Sequence, residues 1–299
     1  MVAVLLALLV VTLFFFGHLI YPKLLVQPAR YKDGMQYVWN PFDRTKFEAK
    51  TADGLRLACF YGQTKVTPAR GTCVILHGHS YGKDGMAWLA RKLTERGFDV
   101  VAFDARAHGE SEGEISTVGD LEGADANAVV EQAEKKFALP HPRIVIGQSL
   151  GAVTAIRMIT LPGNTMDGAI IISPYARLHD VVEREEKFYL PWTDTAQVMA
   201  DAEKLAGRKM WDFAPVKLAP QIAIPVLVLH GTADSRFRLA EGREVFDAIG
   251  TAQAHPARKL WVEAKGAGHN DLLGDRLSWS KEVAGAMAGF LDTFAEKEK

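Results

Sequence analysis

Residues 143–151, with the sequence RIVIGQSLG, constrain the fold of this chain more than any other stretch. They begin with branched, apolar residues typical of a short buried strand, and apolar residues at helical spacing follow them. Between strand and helix, Gly147–Gly151 match the pattern G-x-S-x-G. This context favours a nucleophile elbow, in which a strained turn holds the Ser149 hydroxyl clear of the sheet edge. Gly147 and Gly151 flank the serine. A side chain at either position would be expected to collide with the neighbouring strand or helix.

A nucleophilic serine needs a base, and the base needs an orienting acid. PVLVLHGTAD (225–234) is typical of a buried strand that runs into a loop carrying Asp234. KLWVEAKGAGHND (259–271) indicates another strand, followed by a glycine-rich loop carrying His269. Taken alone, Asp234 would be interpreted as a turn-forming aspartate and His269 as a solvated loop histidine. Together they predict a Ser149–His269–Asp234 triad, and Asp271 is too close to His269 in sequence to support it from a separate strand.

A developing oxyanion needs hydrogen-bond donors. The backbone N–H of Leu150, directly after the serine, is one candidate. The other should follow an earlier strand, and GTCVILHGHSYG (71–82) provides such a loop. The N–H of His79 is the first candidate there and Ser80 the second, the alternative being an ordinary glycine turn.

Six motifs together resemble the α/β-hydrolase superfamily, and most of all its lysophospholipases, monoacylglycerol lipases and serine aminopeptidases. The resemblance spans roughly residues 45–295. In the motif DARAHGESEG (104–113), Ala107 replaces the glycine that is usual in the family. The chain order Ser, Asp, His is also that of the superfamily. Relatives with an aspartate nucleophile, such as dehalogenases and epoxide hydrolases, are disfavoured because position 149 is Ser. The motifs are HGHSYG (77–82), DARAHGESEG (104–113), GQSLG (147–151), SPYA (173–176), IPVLVLHGTAD (224–234) and GAGHND (266–271).

Alternating strand and helix patterns predict an α/β fold with an eight-stranded, mostly parallel sheet and helices on both faces. The first two strands, joined by residues 52–54, are expected to form a β-hairpin at an antiparallel edge. Strands are predicted at 45–51, 55–62, 72–77, 99–104, 143–147, 168–173, 225–230 and 259–264. Helices are predicted at 85–97, 119–138, 151–161, 239–250 and 277–296.

A short helical cap is expected at about residues 175–220, with helical patterns at 178–190 and 194–208. Its aromatic residues are interpreted either as the lining of an acyl pocket or as packing of the cap onto the sheet. The charged run 183–187 is interpreted as the solvated face of a cap helix. Candidate substrate-binding residues, in the cap and in the loop after the third strand, are Ser80, Tyr81, Tyr175 and Trp192.

Residues 1–22 contain no Asp, Glu, Lys or Arg, and Val2–Tyr21 is long enough to cross a bilayer as a helix. A cleaved secretory signal and a buried helix are the alternatives, although no basic region or clear cleavage site is present. We expect a transmembrane anchor at 1–22, a linker at 23–44 and the hydrolase-like domain at 45–299. Positive charges after the span favour a single-pass protein whose catalytic domain is cytoplasmic.

The formal net charge of −1 and the lack of a basic stripe argue against nucleic-acid binding. Cys59 and Cys73 lie on separate predicted strands, which indicates buried reduced thiols. No zinc-ligand spacing, P-loop or dinucleotide motif occurs, so neither a metal nor a cofactor is expected. The oligomeric state is left open.

The residues and the resemblance together imply a serine hydrolase that cleaves an acyl ester, of the carboxylesterase, lysophospholipase or monoacylglycerol-lipase type. The expected substrate is a small acyl compound, which includes lipids. A serine peptidase or amidase and an acyl-protein thioesterase are alternatives with the same triad. A catalytically silent hydrolase fold that serves as a binding module is an alternative of another class.

Overall fold

A computed structural model of the chain describes residues 5, 12, 20–30, 43–189, 194–250, 259–273 and 281–295. Its centre is an eight-stranded sheet in which β2 is antiparallel to both of its neighbours, and the other pairs are parallel. The strands are β1 (Thr45–Lys50), β2 (Arg56–Gly62), β3 (Thr72–Leu76), β4 (Asp99–Phe103), β5 (Arg143–Gln148), β6 (Gly168–Ile172), β7 (Val226–Gly231) and β8 (Lys259–Ala264). Their order across the sheet is β1-β2-β4-β3-β5-β6-β7-β8. The predicted mostly parallel sheet and its antiparallel hairpin are confirmed.

Within the described residues, seven helices lie where the 3.6-residue periodicity predicts them, and two short ones, Tyr21–Val26 and Pro215–Leu218, match no predicted helix. The helices are α1 (Tyr21–Val26), α2 (Ala87–Glu95), α3 (Asp120–Phe137), α4 (Leu150–Thr160), α5 (Leu178–Tyr189), α6 (Thr195–Ala206), α7 (Pro215–Leu218), α8 (Leu239–Ala248) and α9 (Lys281–Ala295). Two short 3₁₀ turns, Lys83–Met86 and Ala219–Gln221, precede α2 and follow α7.

Apolar residues pack against both faces of the sheet. Val129 of α3 and Ile156 of α4 are fully buried on one face. Leu89 of α2 and Phe290 of α9 are buried on the other. The strands β3 to β7 lie between these two layers, so nearly all of their residues are buried, whereas the edge strand β8 is partly exposed. The rigid sheet therefore fixes the positions of the loops that follow its strands.

The predicted cap consists of α5 and α6. α6 begins after Asp194, which accepts a hydrogen bond from the N–H of Ala196, and it ends at Gly207 in the left-handed conformation. The interpretation of residues 183–187 as a solvated face is only partly right. Arg184 contacts Glu241, and Glu185 accepts a hydrogen bond from Arg236 at 3.1 Å, so this face binds the edge of the domain.

Most of the predicted anchor lies outside the described residues, so its conformation stays a prediction. Within the part of the chain that the structure describes, no helix combines the length and the apolar character that crossing a bilayer requires. The described residues 20–30 include the short helix α1, which packs against α6. The predicted linker thus begins with an ordered segment on the cap side of the domain.

Candidate active site

Ser149 occupies the tight turn between β5 and α4. Its backbone has φ of 56° and ψ of −118°, a strained conformation for a residue other than glycine. A Cβ atom on Gly147 would lie 2.1 Å from the carbonyl oxygen of Gly151. A Cβ atom on Gly151 would lie 2.2 Å from the carbonyl oxygen of Leu76 in β3. The two glycines are therefore required for the close approach of helix and strand, as expected from the sequence.

The three residues expected to form the triad are joined by two hydrogen bonds. His269 Nε2 lies 2.9 Å from Ser149 Oγ, and His269 Nδ1 lies 2.8 Å from Asp234 Oδ2. The residues follow β5, β7 and β8, whose carboxyl ends lie at one edge of the sheet. A neutral His269 that donates from Nδ1 to Asp234 presents Nε2 to the serine hydroxyl, the arrangement required of a general base.

The carboxylate of Asp234 is fully buried, and backbone donors hold it in place. Its Oδ1 accepts hydrogen bonds from the N–H groups of Arg236 and Phe237, at 3.0 and 2.9 Å. Burial by itself would raise the pKa of Asp234, but the hydrogen bond and charge of His269 and the Phe237 N–H together lower it. The carboxylate therefore stays ionised and can stabilise an imidazolium at position 269.

Two supporting residues were not assigned this role from the sequence. His230 Nε2 donates to the carbonyl oxygen of Phe237 at 2.9 Å, which fixes the loop whose N–H groups bind Asp234. Gln148 donates from Nε2 to the carbonyl oxygen of His269 at 3.1 Å. His230 lies in β7, one residue before that strand ends at Gly231, and Gln148 is a variable position of G-x-S-x-G. Their positions inside the motifs were the only sequence signal for a supporting role. Their hydrogen-bond partners lie in loops whose positions are set by the fold.

The loop after β3 lies beside the serine. A Cβ atom on Gly78 would be 3.6 Å from Ser149 Cβ. The His79 N–H donates no hydrogen bond to any described residue, and the Leu150 N–H, as the first of α4, has no partner inside that helix. His77 holds this loop, because its Nε2 accepts a hydrogen bond from the Ala105 N–H at 3.0 Å.

The predicted substrate-binding residues have different environments. Ser80 has a positive φ of 56°, and its hydroxyl lies 3.1 Å from Nδ1 of His79. Tyr81 packs over Gly85. Tyr175 is 1% exposed, and its hydroxyl donates to the carbonyl oxygen of Val118 at 2.7 Å, so only its ring is available for an apolar contact. Trp192 lies outside the described residues.

Comparisons with known proteins agree with this arrangement. The family model described as serine aminopeptidase, S33, matches residues 67–211. Alpha/beta hydrolase domain-containing protein 17B of Xenopus tropicalis is 26% identical over 229 residues, which cover 76% of this chain and 69% of that protein. These matches, together with the fold, support membership of the chain in the α/β-hydrolase superfamily. The chain is a hydrolase.

Two further relatives of this hydrolase illustrate the range of similarity. Lysophosphatidylserine lipase ABHD12 of Danio rerio is 27% identical over 194 residues, which cover 62% of the hydrolase and 49% of the lipase. The structure of an esterase from Pyrococcus furiosus superposes with a TM-score of 0.72 at 21% identity, covering 90% of the hydrolase and 100% of the esterase. At this identity the structural likeness establishes the shared fold.

Proposed function

We propose that this hydrolase cleaves acyl esters by nucleophilic catalysis at Ser149. The observation that carries the proposal is the continuous hydrogen-bonded chain from Asp234 through His269 to the Ser149 hydroxyl. Acyl transfer requires a serine that is exposed by a strained turn and a histidine that is oriented by a buried carboxylate. It also requires free backbone N–H groups beside the serine.

In the proposed mechanism, His269 Nε2 takes the proton of Ser149 Oγ as that oxygen attacks the acyl carbonyl. Asp234 stabilises the resulting imidazolium. The N–H groups of Leu150 and His79 bind the oxyanion, and His269 then gives its proton to the leaving alcohol. Water, activated by His269, hydrolyses the acyl-serine and regenerates the free enzyme.

We propose a carboxylesterase or a lipase of the lysophospholipid or monoacylglycerol type. Support comes from the apolar side chains that the cap packs next to Leu150, beside the proposed nucleophile. The printed activities of the lipase and esterase relatives point the same way. Ser80, Tyr81, Tyr175 and Trp192 remain our proposed substrate contacts.

We further propose that residues 1–22 anchor the protein in a membrane, that 23–44 connect the anchor to the domain, and that the catalytic domain is cytoplasmic. The support is the uncharged apolar sequence that precedes Lys23. Carbonate extraction of membranes from expressing cells tests the anchor, and protease protection of the intact vesicles tests the side. Release of the full-length chain by carbonate would contradict the anchor.

Covalent labelling by a fluorophosphonate probe tests the nucleophile directly. The full chain should be labelled, and the Ser149→Ala and His269→Ala variants should not, because the probe reacts only with an activated serine. Equal labelling of the Ser149→Ala variant would place the nucleophile elsewhere. A folded wild-type chain that stays unlabelled would favour the silent binding module.

A peptidase or amidase is the second candidate, because the matching family model is described as a serine aminopeptidase. Parallel assays with p-nitrophenyl esters, acyl thioesters and aminoacyl p-nitroanilides distinguish the classes. We expect kcat/KM to be highest for the esters. A preference for the anilides would assign the site to peptide bonds, and a preference for thioesters would favour the thioesterase alternative.

A further inference from the structure

The N-terminal segment 20–30 lies on the cap side of the active site. Its helix α1 packs against α6, and Val26 is 0% exposed. Val26 belongs to one apolar cluster with Leu150, the residue after the nucleophile, and with Phe237. The ring of Phe237 contacts the ring of His269, with centroids 4.7 Å apart. The cluster thus connects the segment to the groups that flank the reacting atoms.

Polar contacts fasten the segment at its middle. The carbonyl oxygen of Leu25 lies 3.3 Å from Nε2 of His79, the residue whose N–H is a proposed oxyanion donor. The carbonyl oxygen of Val26 accepts a hydrogen bond from the Ser116 N–H at 2.7 Å. Both partners belong to loops at the carboxyl edge of the sheet, so the segment is held against the site itself.

Contacts at both ends of the segment complete the attachment. The Tyr21 hydroxyl donates to Glu185 of the cap helix α5 at 3.4 Å. The Arg30 guanidinium donates to the carbonyl oxygens of three residues in the turn after β4, Gly109, Ser111 and Gly113. The segment therefore bridges the cap and the central sheet, with Val26 buried between them.

We propose that residues 21–30 form a strap that walls the acyl-binding side of the site, and that Val26 limits the length of acyl chain accepted. This inference rests on the proposed ester hydrolysis at Ser149. The strap is joined to the loop of His79 on one side and to the cluster of Leu150 on the other. An acyl chain on Ser149 that extends toward the cap would meet the apolar cluster in which Val26 is buried.

The test is the kcat/KM profile of the full chain on p-nitrophenyl esters from acetate to laurate. Val26→Ala removes two methyl groups from the wall and should raise the laurate-to-butyrate ratio of kcat/KM by about tenfold, the discrimination typical of a methylene or two in an apolar pocket. Val26→Ile adds a methyl group and should shift the optimum toward shorter esters. Opposite shifts from one position would identify Val26 as a specificity-determining residue.

Val129→Ala is the matched control, because Val129 is equally buried but lies on α3 and belongs to a different apolar cluster from that of the cap. It should lower stability as much as Val26→Ala without changing the profile. Unchanged profiles in both Val26 variants, with esters still cleaved at Ser149, would overturn the strap and leave the proposed function intact. Absence of ester cleavage by the wild-type chain would instead overturn the function.

Discussion

Two regions of this hydrolase meet at Ser149, and they are built differently. The candidate catalytic groups lie in loops directly after β5, β7 and β8, so a rigid sheet sets their separation. The acyl side is formed by α1, α5 and α6, which share an apolar cluster, and ion pairs join α5 to Arg236 and Glu241. One region depends on strand ends, whereas the other depends on contacts between separate helices.

The support of the acid and the attachment of the cap illustrate this difference. Asp234 binds the N–H groups two and three positions later, so the acid and its support lie in one short loop. Tyr21 and Glu185 of the cap side are 164 positions apart, and Arg184 and Glu241 are 57 apart. Short motifs can therefore specify the catalytic loops, but the acyl side forms only when distant segments assemble.

The largest expected effect is at the nucleophile. Ser149→Ala should lower kcat by roughly 10⁴-fold or more on any ester that the wild type cleaves, because no oxygen remains to attack the carbonyl. Thermal unfolding should show that the variant still folds, since the elbow keeps its glycines. A loss below tenfold would mean that the sheet-edge region is not the catalytic one.

Asp234→Asn should lower kcat by about 10³- to 10⁴-fold, because an amide cannot stabilise the imidazolium and favours the wrong histidine tautomer. Asp271→Asn is the matched control. Asp271 lies two residues from His269, and its carboxylate accepts the Gly268 N–H at 2.7 Å rather than the histidine ring. Steady-state kinetics should show a small effect for the control, and a reversed ranking would assign the acid to Asp271.

Much of the sheet and the identity of the candidate triad could be predicted from sequence. Buried parallel strands are apolar runs bounded by turns, and β5 with its glycine turn is recognisable without any partner. The strand bounds are within one residue of prediction. α2 is shorter than predicted because its first turn is the 3₁₀ turn Lys83–Met86.

The rest depends on pairings that no local pattern records. Arg184 and Glu185 lie in a charged helical run of the kind usually exposed, and their role depends on Glu241 and Arg236 of a distant segment. The contact of Leu25 with His79 uses a backbone carbonyl, so the identity of residue 25 carries no signal for it. Such contacts explain why the cap could be located but its attachment could not be predicted.

The pH dependence of the free energy of unfolding should distinguish the loop after β3 from the cap. Burial, and then the nearby His108, lower the pKa of His79 from 6.5 to about 4. The unfolded chain therefore takes up a proton more readily than the folded chain. The free energy of unfolding should fall as the pH drops through 6.5, and this loss should level off below about 4. At pH 5 the contribution of one such histidine is about 2 kcal/mol.

His79→Gln removes this titration and keeps an N–H donor for the Leu25 carbonyl. Urea unfolding at pH 7.5 and pH 5 should show that the variant loses about 2 kcal/mol less than the wild type on acidification. His77 and His108 also contribute to the loss in both proteins, since burial lowers the pKa of each of them, so the quantity to compare is the difference between variant and wild type. Equal losses in variant and wild type would show that His79 is hydrated and not held by the strap.

The smallest expected effect concerns the attachment of the cap. Arg184 and Glu241 are 19% and 12% exposed, and Arg184 also donates to the carbonyl oxygen of Arg236. A double-mutant cycle of Arg184→Gln and Glu241→Gln, measured by urea unfolding, should give a coupling free energy of about 1 kcal/mol. The same pair should also affect KM more than kcat, because it holds the acyl side rather than the reacting groups.

The exposed pair Lys135–Glu131 on α3 provides the control cycle. Its side chains are 68% and 69% exposed, so solvent screening should reduce their coupling to below about 0.5 kcal/mol. If the two cycles gave equal coupling, the cap would be held by its apolar cluster alone. The charged run of α5 would then be the solvated face that its composition indicates, and the acyl side would depend on packing in the same way as the sheet.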